Sequence, residues 1–584
     1  MSGGKLNIDV KVGADANVVS QDTTLVEGNW FVYDDITISE GKTLTIEAGT
    51  QITLANGASI NVDGTLIAEG TPTDQVSMDF VSSDATNRNG IWISETGTVD
   101  MKSTEVQNAW IAFLNYDGTL ILDSCDVHDN LRGVYISNAV SASNNCSITD
   151  TYLRNNNAEG AFIRRSSPSI INTTISGNST TGLTAQRYSH FEMKNSSIIN
   201  NGGDGINTTL YSAPDMGEGQ GNHGYNLISG NTSYGFNIQI GVNIRAEGSN
   251  TIHANGNNLL TYGNCIMWAD QNYWGGSAPD TSAFDLEPTS TFNYQSFLTT
   301  APSAGSSLLK SIKNESLLNL AYKSMYDKEY DKAIKQFEKI IEESDNEKTI
   351  ILGLNGLTIC YDKAKKKGLD KFLKDIIKPQ IKNPKGELNK IYLEVFSSAL
   401  ENEGKYNEAL SYYLEKKNNF EESDELKKSS LLDEMELYLK SNNREAAEKI
   451  SKELSKLDLS SQLNAQATLA IYDRKLKKNG SYQNFDAELL KDEVEENIED
   501  YSVGNHPNPF NPTTKINYYL PKAGHVTLKV YNVLGKEVVK LVDEIKTVGK
   551  YTATFNASNL ASGVYFYTIQ VNDFIQTNKM LLLK

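Results

Sequence analysis

Between Val127 and Asn255 one pattern recurs: an aliphatic residue, two further residues, Asn, a short gap and Gly. It reads VHDNLRG (Val127, Asn130, Gly133), LRNNNAEG (Leu153, Asn156, Gly160) and ISGNSTTG (Ile175, Asn178, Gly182). It continues as IINNGGDG (Ile198, Asn201, Gly205) and ISGNTSYG (Ile228, Asn231, Gly235), with IHANG (Ile252, Asn255) as a partial copy. Successive Asn residues lie 26, 22, 23, 30 and 24 positions apart. Such a period is too short for a helical hairpin. After each Gly the apolar residues alternate as in a strand: Val134/Ile136, Ala161/Ile163, Leu183/Ala185, Ile206/Thr208 and Phe236/Ile238. One coil of this kind cannot bury its own apolar side, but stacked coils form a continuous core.

The pattern predicts a right-handed parallel β-helix over residues 1–303. Aliphatic residues line up inside, so Ile175, Ile198 and Ile228 share a column. Each Asn takes the left-handed turn between strands and bonds to the Asn of the next coil. Leucine-rich repeats share the period, but their repeated Leu and attendant helix are missing. Upstream, GKTLTIEAGTQITLANGASINVDGTLIAEGT (41–71) reads as short strands, and it resembles the opening coils of secreted, pectate-lyase-like bacterial β-helix proteins. QNYWGG (Gln271–Gly276) resembles their closing motif. The resemblance covers about residues 28–300 and implies a fold, not an activity. Roughly ten coils at ~4.8 Å make a rod about 50 Å long.

Charge divides the chain in three. Residues 1–300 hold 12 Lys+Arg and 31 Asp+Glu, residues 301–505 hold 33 and 38, and residues 506–584 hold 9 and 4. A net charge of −19 excludes nucleic acid as a partner of the whole chain. The 4 Cys exclude a disulfide-dense scaffold. No apolar run approaches the ~18 residues of a membrane span.

Residues 304–478 are rich in Lys, Glu and Leu at helical spacing. LLNLAYKSMYDKEYDKAIKQFEKII (317–341), with Tyr330, Ala333 and Phe337, is echoed by EVFSSALENEGKYNEALSYYLEK (394–416), with Gly404, Tyr406, Ala409 and Tyr413. NNREAAEKI (442–450) around Ala446 is a weaker copy, and a unit near Phe372 is degenerate. This region resembles tetratricopeptide-type repeats, which implies a groove for a protein partner; irregular α-hairpins without a groove are the alternative. Residues 479–505 read as an acidic linker.

Residues 506–584 show alternating runs separated by Gly, Asn and Pro, the signature of a small antiparallel β-sandwich. Three motifs stand out: Pro507-Asn508-Pro509-Phe510-Asn511-Pro512, Gly563-Val564-Tyr565, and the terminal run from Lys579 to Lys584. With these the segment resembles the C-terminal sorting domain of the type IX secretion system of Bacteroidota. The resemblance implies that the secretion machinery is a partner and that the protein is secreted or held at the outer cell surface. The start, MSGGKLNIDVKVG, lacks the apolar core of a signal peptide, so a longer natural N-terminus is expected.

Chemistry is sparsely signalled. HExxH, CxxC and Walker A patterns are absent, and the GxGxxG of Gly219, Gly221 and Gly224 lacks the strand and helix that a dinucleotide site needs. Cys125 and Cys146, about one coil apart, read as isolated buried thiols or a stacked pair. Asn172 and Asn195 in Asn-x-Ser/Thr sequences read as turn residues. Two outward rows follow the repeat Gly residues: Tyr135, Phe162, Thr184, Asn207, Asn237, and Ser137, Arg164, Gln186, Thr209, Gln239. Tyr135, Phe162, Arg164 and Gln186 are candidates to hold a glycan, since aromatic rings stack on sugar faces and polar groups bond to hydroxyls; ordinary solvated side chains are the alternative.

A second cluster joins the insertion Tyr211–Tyr225, with Asp215, Glu218 and His223, to Arg164, Arg165 and Arg187. Arg164, Arg187, Asp215 and His223 are the candidates for a polysaccharide lyase or glycoside hydrolase, where a base takes a proton and cations stabilise the enolate. Ca²⁺ held by Asp123, Asp126 and Asp129 would assist. The leading expectation is a glycan-binding or adhesive scaffold without catalysis, with an extracellular polysaccharide as partner.

Overall fold

The computed structural model describes residues 18–478 and 502–582, apart from 56, 82–87, 138–145, 219–223, 240, 263–264, 270, 277–280, 287–289, 294–296, 299–316, 421–423, 507–509, 521–523, 534–535, 547–548 and 572–573. The chain divides into two compact units, residues 1–478 and 479–584.

In the first unit the described residues form three parallel sheets of 12 strands each, which wind as the expected β-helix. Leu153, Ile175, Ile198, Ile228 and Ile252 stand in register, all with no exposed surface. Aliphatic side chains at successive levels thus form the interior column that the spacing predicts.

The Asn ladder forms as well. The Asn130 amide Nδ2 donates to Asn156 Oδ1 at 3.2 Å, and the chain continues through Asn178, Asn201, Asn231 and Asn255 at 2.9 Å per step. The left-handed turn falls one residue earlier than expected, on Asp129, Asn155, Gly177, Asn200, Gly230 and Ala254. The ladder Asn must point its amide along the stack, so its predecessor takes the bend. A second ladder, Asn226–Asn250–Asn272, continues a column of Ser196, Thr173 and Thr151. The repeat Gly residues serve close approach: a Cβ on Gly160 would lie 2.6 Å from Ile175 Cγ2. Asn172 and Asn195 have φ of 52° and 50°, as turn residues do. Cys125 and Cys146 are free and buried. Trp274 of the QNYWGG run packs on Phe284 and Phe292, but strands continue to Phe297–Leu298, so the run is not the last coil.

Helices follow: α1 (Leu317–Tyr326), α2 (Tyr330–Glu343), α3 (Glu347–Lys363), α4 (Leu369–Phe372), α5 (Glu387–Asn402), α6 (Tyr406–Asn419), α7 (Asp424–Lys440), α8 (Arg444–Leu454) and α9 (Leu459–Lys478). Ala333, Phe337 and Ile341 line the buried face of α2, one helical turn apart. Gly356 of α3 makes room for the Phe337 ring: a Cβ there would meet Phe337 Cζ at 2.2 Å. Ala409 and Tyr413 are buried as expected, but in α8 the buried residue is Ala447, not Ala446. Around Phe372 the helix passes into a π turn (Leu373–Ile377) and a 3₁₀ turn carrying Pro379, which accounts for the degenerate unit.

The second unit has two antiparallel sheets around one core that includes Phe510, Leu528, Phe555, Tyr567 and Met580. Ser502–Asn505, expected as the end of the linker, forms one strand with His506, paired with Lys515–Tyr519; residues 479–501 of that linker lie outside the described residues. Pro507, Asn508, Pro509 and the last two residues also lie outside them. Phe510 is buried, and its N–H donates to the Leu581 carbonyl at 2.8 Å. Asn511 precedes Pro512 through a cis peptide. Tyr565 donates its hydroxyl to the Ala561 carbonyl at 2.9 Å, two residues beyond Gly563 at φ 151°. Lys579 pairs with Phe566 across the last two strands.

Candidate functional site

The two outward rows lie on the first sheet and stack in register. One runs Trp92, Leu114, Tyr135, Phe162, Thr184, Asn207, Asn237, Leu260; the other includes Ser137, Arg164, Gln186, Thr209 and Gln239. The rows therefore change character along the rod, from aromatic and cationic to amide and hydroxyl.

The aromatic end is roofed by helices. Tyr135 and Phe162 stack with ring centroids 5.1 Å apart, and Trp92 and Trp110 at 6.0 Å. Tyr135, Phe162 and Trp110 share a buried cluster with Leu431, Leu432, Met435 and Leu439 of α7 and Leu463 and Ala467 of α9. Tyr135 and Phe162, expected as a sugar platform, are instead the apolar seat of the helices. Burial of Tyr135 pushes its hydroxyl pKa up.

Below this seat lies a cluster of buried ion pairs. Arg164 donates Nε to Glu436 at 2.7 Å and also pairs with Asp433. Arg187 reaches Asp433 and Glu401, both at 2.5 Å. Glu401, at the end of α5, also accepts from Arg165 and from Lys440, both at 2.6 Å. Burial alone would raise the Glu401 and Glu436 pKa values. The surrounding Arg and Lys charges outweigh it, holding Glu401 well below the usual range and Glu436 at about 2. Burial would lower Arg164 and Arg187, but Glu436, Asp433 and Glu401 carry both above the ordinary value. Lys440 is pushed down by burial. Guanidiniums engaged this way hold the helices to the rod.

Asp215 is not in a free loop. Asp215–Glu218 is a strand of the second sheet, and Asp215 accepts from Arg245 at 3.0 and 2.5 Å. Arg245 stacks over the Tyr326 ring at 4.6 Å, tying α1 to the rod. His223 lies outside the described residues. Asp123 accepts from Ser124, Asp126 from Arg154, and Asp129 bonds His128, so the three have separate partners. Among the described residues, no three His, Cys, Asp or Glu side chains are grouped to hold a metal ion.

Farther along the rows, α7–α9 and the sheet enclose a cleft of about 410 Å³, which Thr209 Oγ1 and Ser429 Oγ of α7 span at 3.5 Å. Its floor holds Thr184, Gln186, Asn207, Thr209, Asn237 and Gln239; Asp204 borders it, Ser429 and Asn464 come from α7 and α9, and Asp458 from the turn between α8 and α9. At one end Arg132, paired with Glu159, donates Nη1 to Asn464 at 2.8 Å. Lys428 pairs with Asp458 at 2.9 Å. Buried oxygens of Gln186, Gln239, Asn207 and Thr180 have no hydrogen-bond partner. Unpartnered buried acceptors cost free energy unless something donates to them. Gln186 thus keeps a place in the site that Tyr135, Phe162 and Arg164 do not share. Sequence reasoning missed the roof; its one signal was α7, whose Asp433 and Glu436 share a face with Leu432, Met435 and Leu439.

Residues 89–212 match the family described as a right handed beta helix region, and residues 506–583 match the secretion system C-terminal sorting domain. No curated protein matches the chain. Two solved structures match at low similarity. One is a point mutant of the periplasmic alginate epimerase AlgG, 14% identical over 47% of this chain and 76% of that chain, with a TM-score of 0.29. The other is the A-module of the Azotobacter vinelandii mannuronan C-5 epimerase AlgE4, 12% identical over 50% and 91%, with a TM-score of 0.21. The chain thus joins a right-handed β-helix to a type IX secretion sorting domain, which implies export to the cell surface or exterior.

Proposed function

We propose that the exported protein is a non-catalytic glycan-binding scaffold whose ligand lies in the cleft between the β-helix and α7–α9. The observation that carries this reading is the set of buried, unpartnered polar oxygens lining a cleft of about 410 Å³, at the small end of the ~300–1,000 Å³ of ligand pockets. The helical hairpins are tetratricopeptide-like units turned to an intramolecular use: the surface they hold is the outer face of the first sheet. A lyase or hydrolase reading asks for cations and carboxylates presented to the sugar, whereas Arg164, Arg165 and Arg187 are taken up by Asp433, Glu436 and Glu401.

The test is a glycan array probed with the full chain, followed by incubation with each polysaccharide that binds. The expected result is binding with no new reducing or ultraviolet-absorbing ends. Unsaturated products that disappear in Arg187→Ala would replace this reading with a lyase.

A further inference from the structure

The direction of one hydrogen-bond chain in the cleft limits what can occupy it. Asp204 accepts at both oxygens: Oδ1 from the Tyr234 N–H at 3.0 Å and Oδ2 from Asn237 Nδ2 at 2.9 Å. A carboxylate only accepts, so the Asn237 amide must face it with its NH₂. The Asn237 carbonyl is thereby turned the other way, and it accepts from Gln239 Nε2 at 2.7 Å. This orients Gln239 in turn and leaves its Oε1 as the free end of the relay, buried and without a partner.

The same column offers a second acceptor. Gln186 lies in register with Thr209, and Thr209 with Gln239. Gln186 is 8% exposed, Gln239 is 2% exposed, and both have an unpartnered Oε1. Two coil steps at ~4.8 Å set these acceptors about 10 Å apart, the span of a disaccharide. Asn207 Oδ1 and Thr180 Oγ1 add two more oxygens at the same cleft.

We infer that the cleft selects a neutral, hydroxyl-rich oligosaccharide segment that donates hydrogen bonds to Gln186 and Gln239, and that it rejects polyuronates. This rests on the glycan reading of the cleft and narrows it to a ligand class. A sugar hydroxyl donates to an amide carbonyl without a charge to desolvate. A uronate also carries hydroxyls, but wherever its acceptor-only carboxylate lies against these carbonyls both sides stay unpaired, so a polyuronate has fewer usable donors per residue than a neutral sugar. The excess of Asp and Glu over residues 1–300 opposes a polyanion in the same sense.

The experiment is isothermal titration of the full chain with cello-, manno- and galacto-oligosaccharides and with oligogalacturonate. The expected result is binding of at least one neutral series, with oligogalacturonate at least tenfold weaker. Gln239→Leu, which removes the terminal acceptor, is expected to weaken the neutral ligand at least tenfold. Thr180→Val, which keeps shape and removes only a hydroxyl, is expected to weaken it severalfold; it guards against misfolding of the first variant, whose thermal midpoint is measured alongside. Oligogalacturonate that binds as tightly as the best neutral ligand, with Gln239→Leu abolishing both, overturns the selectivity but leaves glycan binding standing. Neutral binding unchanged in both variants overturns the cleft as its seat. Failure of every oligosaccharide to bind overturns the proposed function together with this inference.

Discussion

Replacing Glu401 by Gln keeps the side chain's shape and removes one charge from a buried cluster. Glu401 accepts from Arg165 at 2.6 Å, Arg187 at 2.5 Å and Lys440 at 2.6 Å, and it is 4% exposed. In Glu401→Gln three cations surround a neutral amide whose NH₂ faces at least one of them. Removing one partner of a buried pair costs about 3–5 kcal/mol, because the remaining charge is neither hydrated nor matched. At ~1.4 kcal/mol per factor of ten, that loosens the docking of α5 and α7 by more than a hundredfold. Arg187→Met removes one of the three cations that Glu401 serves, the one that keeps Asp433 as a second partner, so it should cost less in the Glu401→Gln background than alone, with a coupling of about 2 kcal/mol. A stacked rod with helices need not unfold in one step, so the assay is native-state hydrogen exchange at α5 and α7 amides, which reports local opening. The reasoning fails if Glu401→Gln stays within about 0.5 kcal/mol of the parent, the range of an ordinary surface substitution, or if the two substitutions add without coupling.

Acid should open the same contact. The Glu401 and Glu436 carboxyls titrate below their unfolded values, Glu436 at about 2 against 4.5, so their contribution is present above about pH 4.5 and is lost as pH falls toward 2. Emission from Trp110, buried beneath α7 and α9, should change in that window, and a change only on raising pH would contradict it. Ile198→Ala in the interior column should destabilise the β-helix by about 2–5 kcal/mol, read from exchange of the neighbouring strands, and a cost below 1 kcal/mol would place Ile198 outside the core. All four thiols are buried, and burial pushes Cys125 up to about 12 and Cys146 to about 11; a disulfide-forming reagent should label none until denaturant is added, and rapid native labelling would refute this.

What the sequence revealed was what repeats. Ile175, Ile198 and Ile228 could be assigned to one column because the coil length recurs and each step demands the same side chain. The Asn ladder was legible for the same reason, although its left-handed turn is shifted to Asp129, Asn155 and Asn200, which no spacing rule distinguishes from their neighbours. The roof over Tyr135 and Phe162 was not legible, because it depends on contacts such as Arg164 to Asp433, 269 residues apart in the chain. A row of Tyr, Phe and Arg on an outer strand reads the same whether it faces water, sugar or a helix. Likewise Gln239 stands out only once Asp204 and Asn237 fix which end of its amide is free.

The account depends most on the helices covering the aromatic end of the first sheet. Hydroxyl-radical footprinting of the full chain tests that directly. Trp110, Tyr135 and Phe162 should be protected, while Tyr33 and Tyr152, at 58% and 52% exposure, are modified readily. Modification of Tyr135 and Phe162 at the rate of Tyr152 would contradict the account.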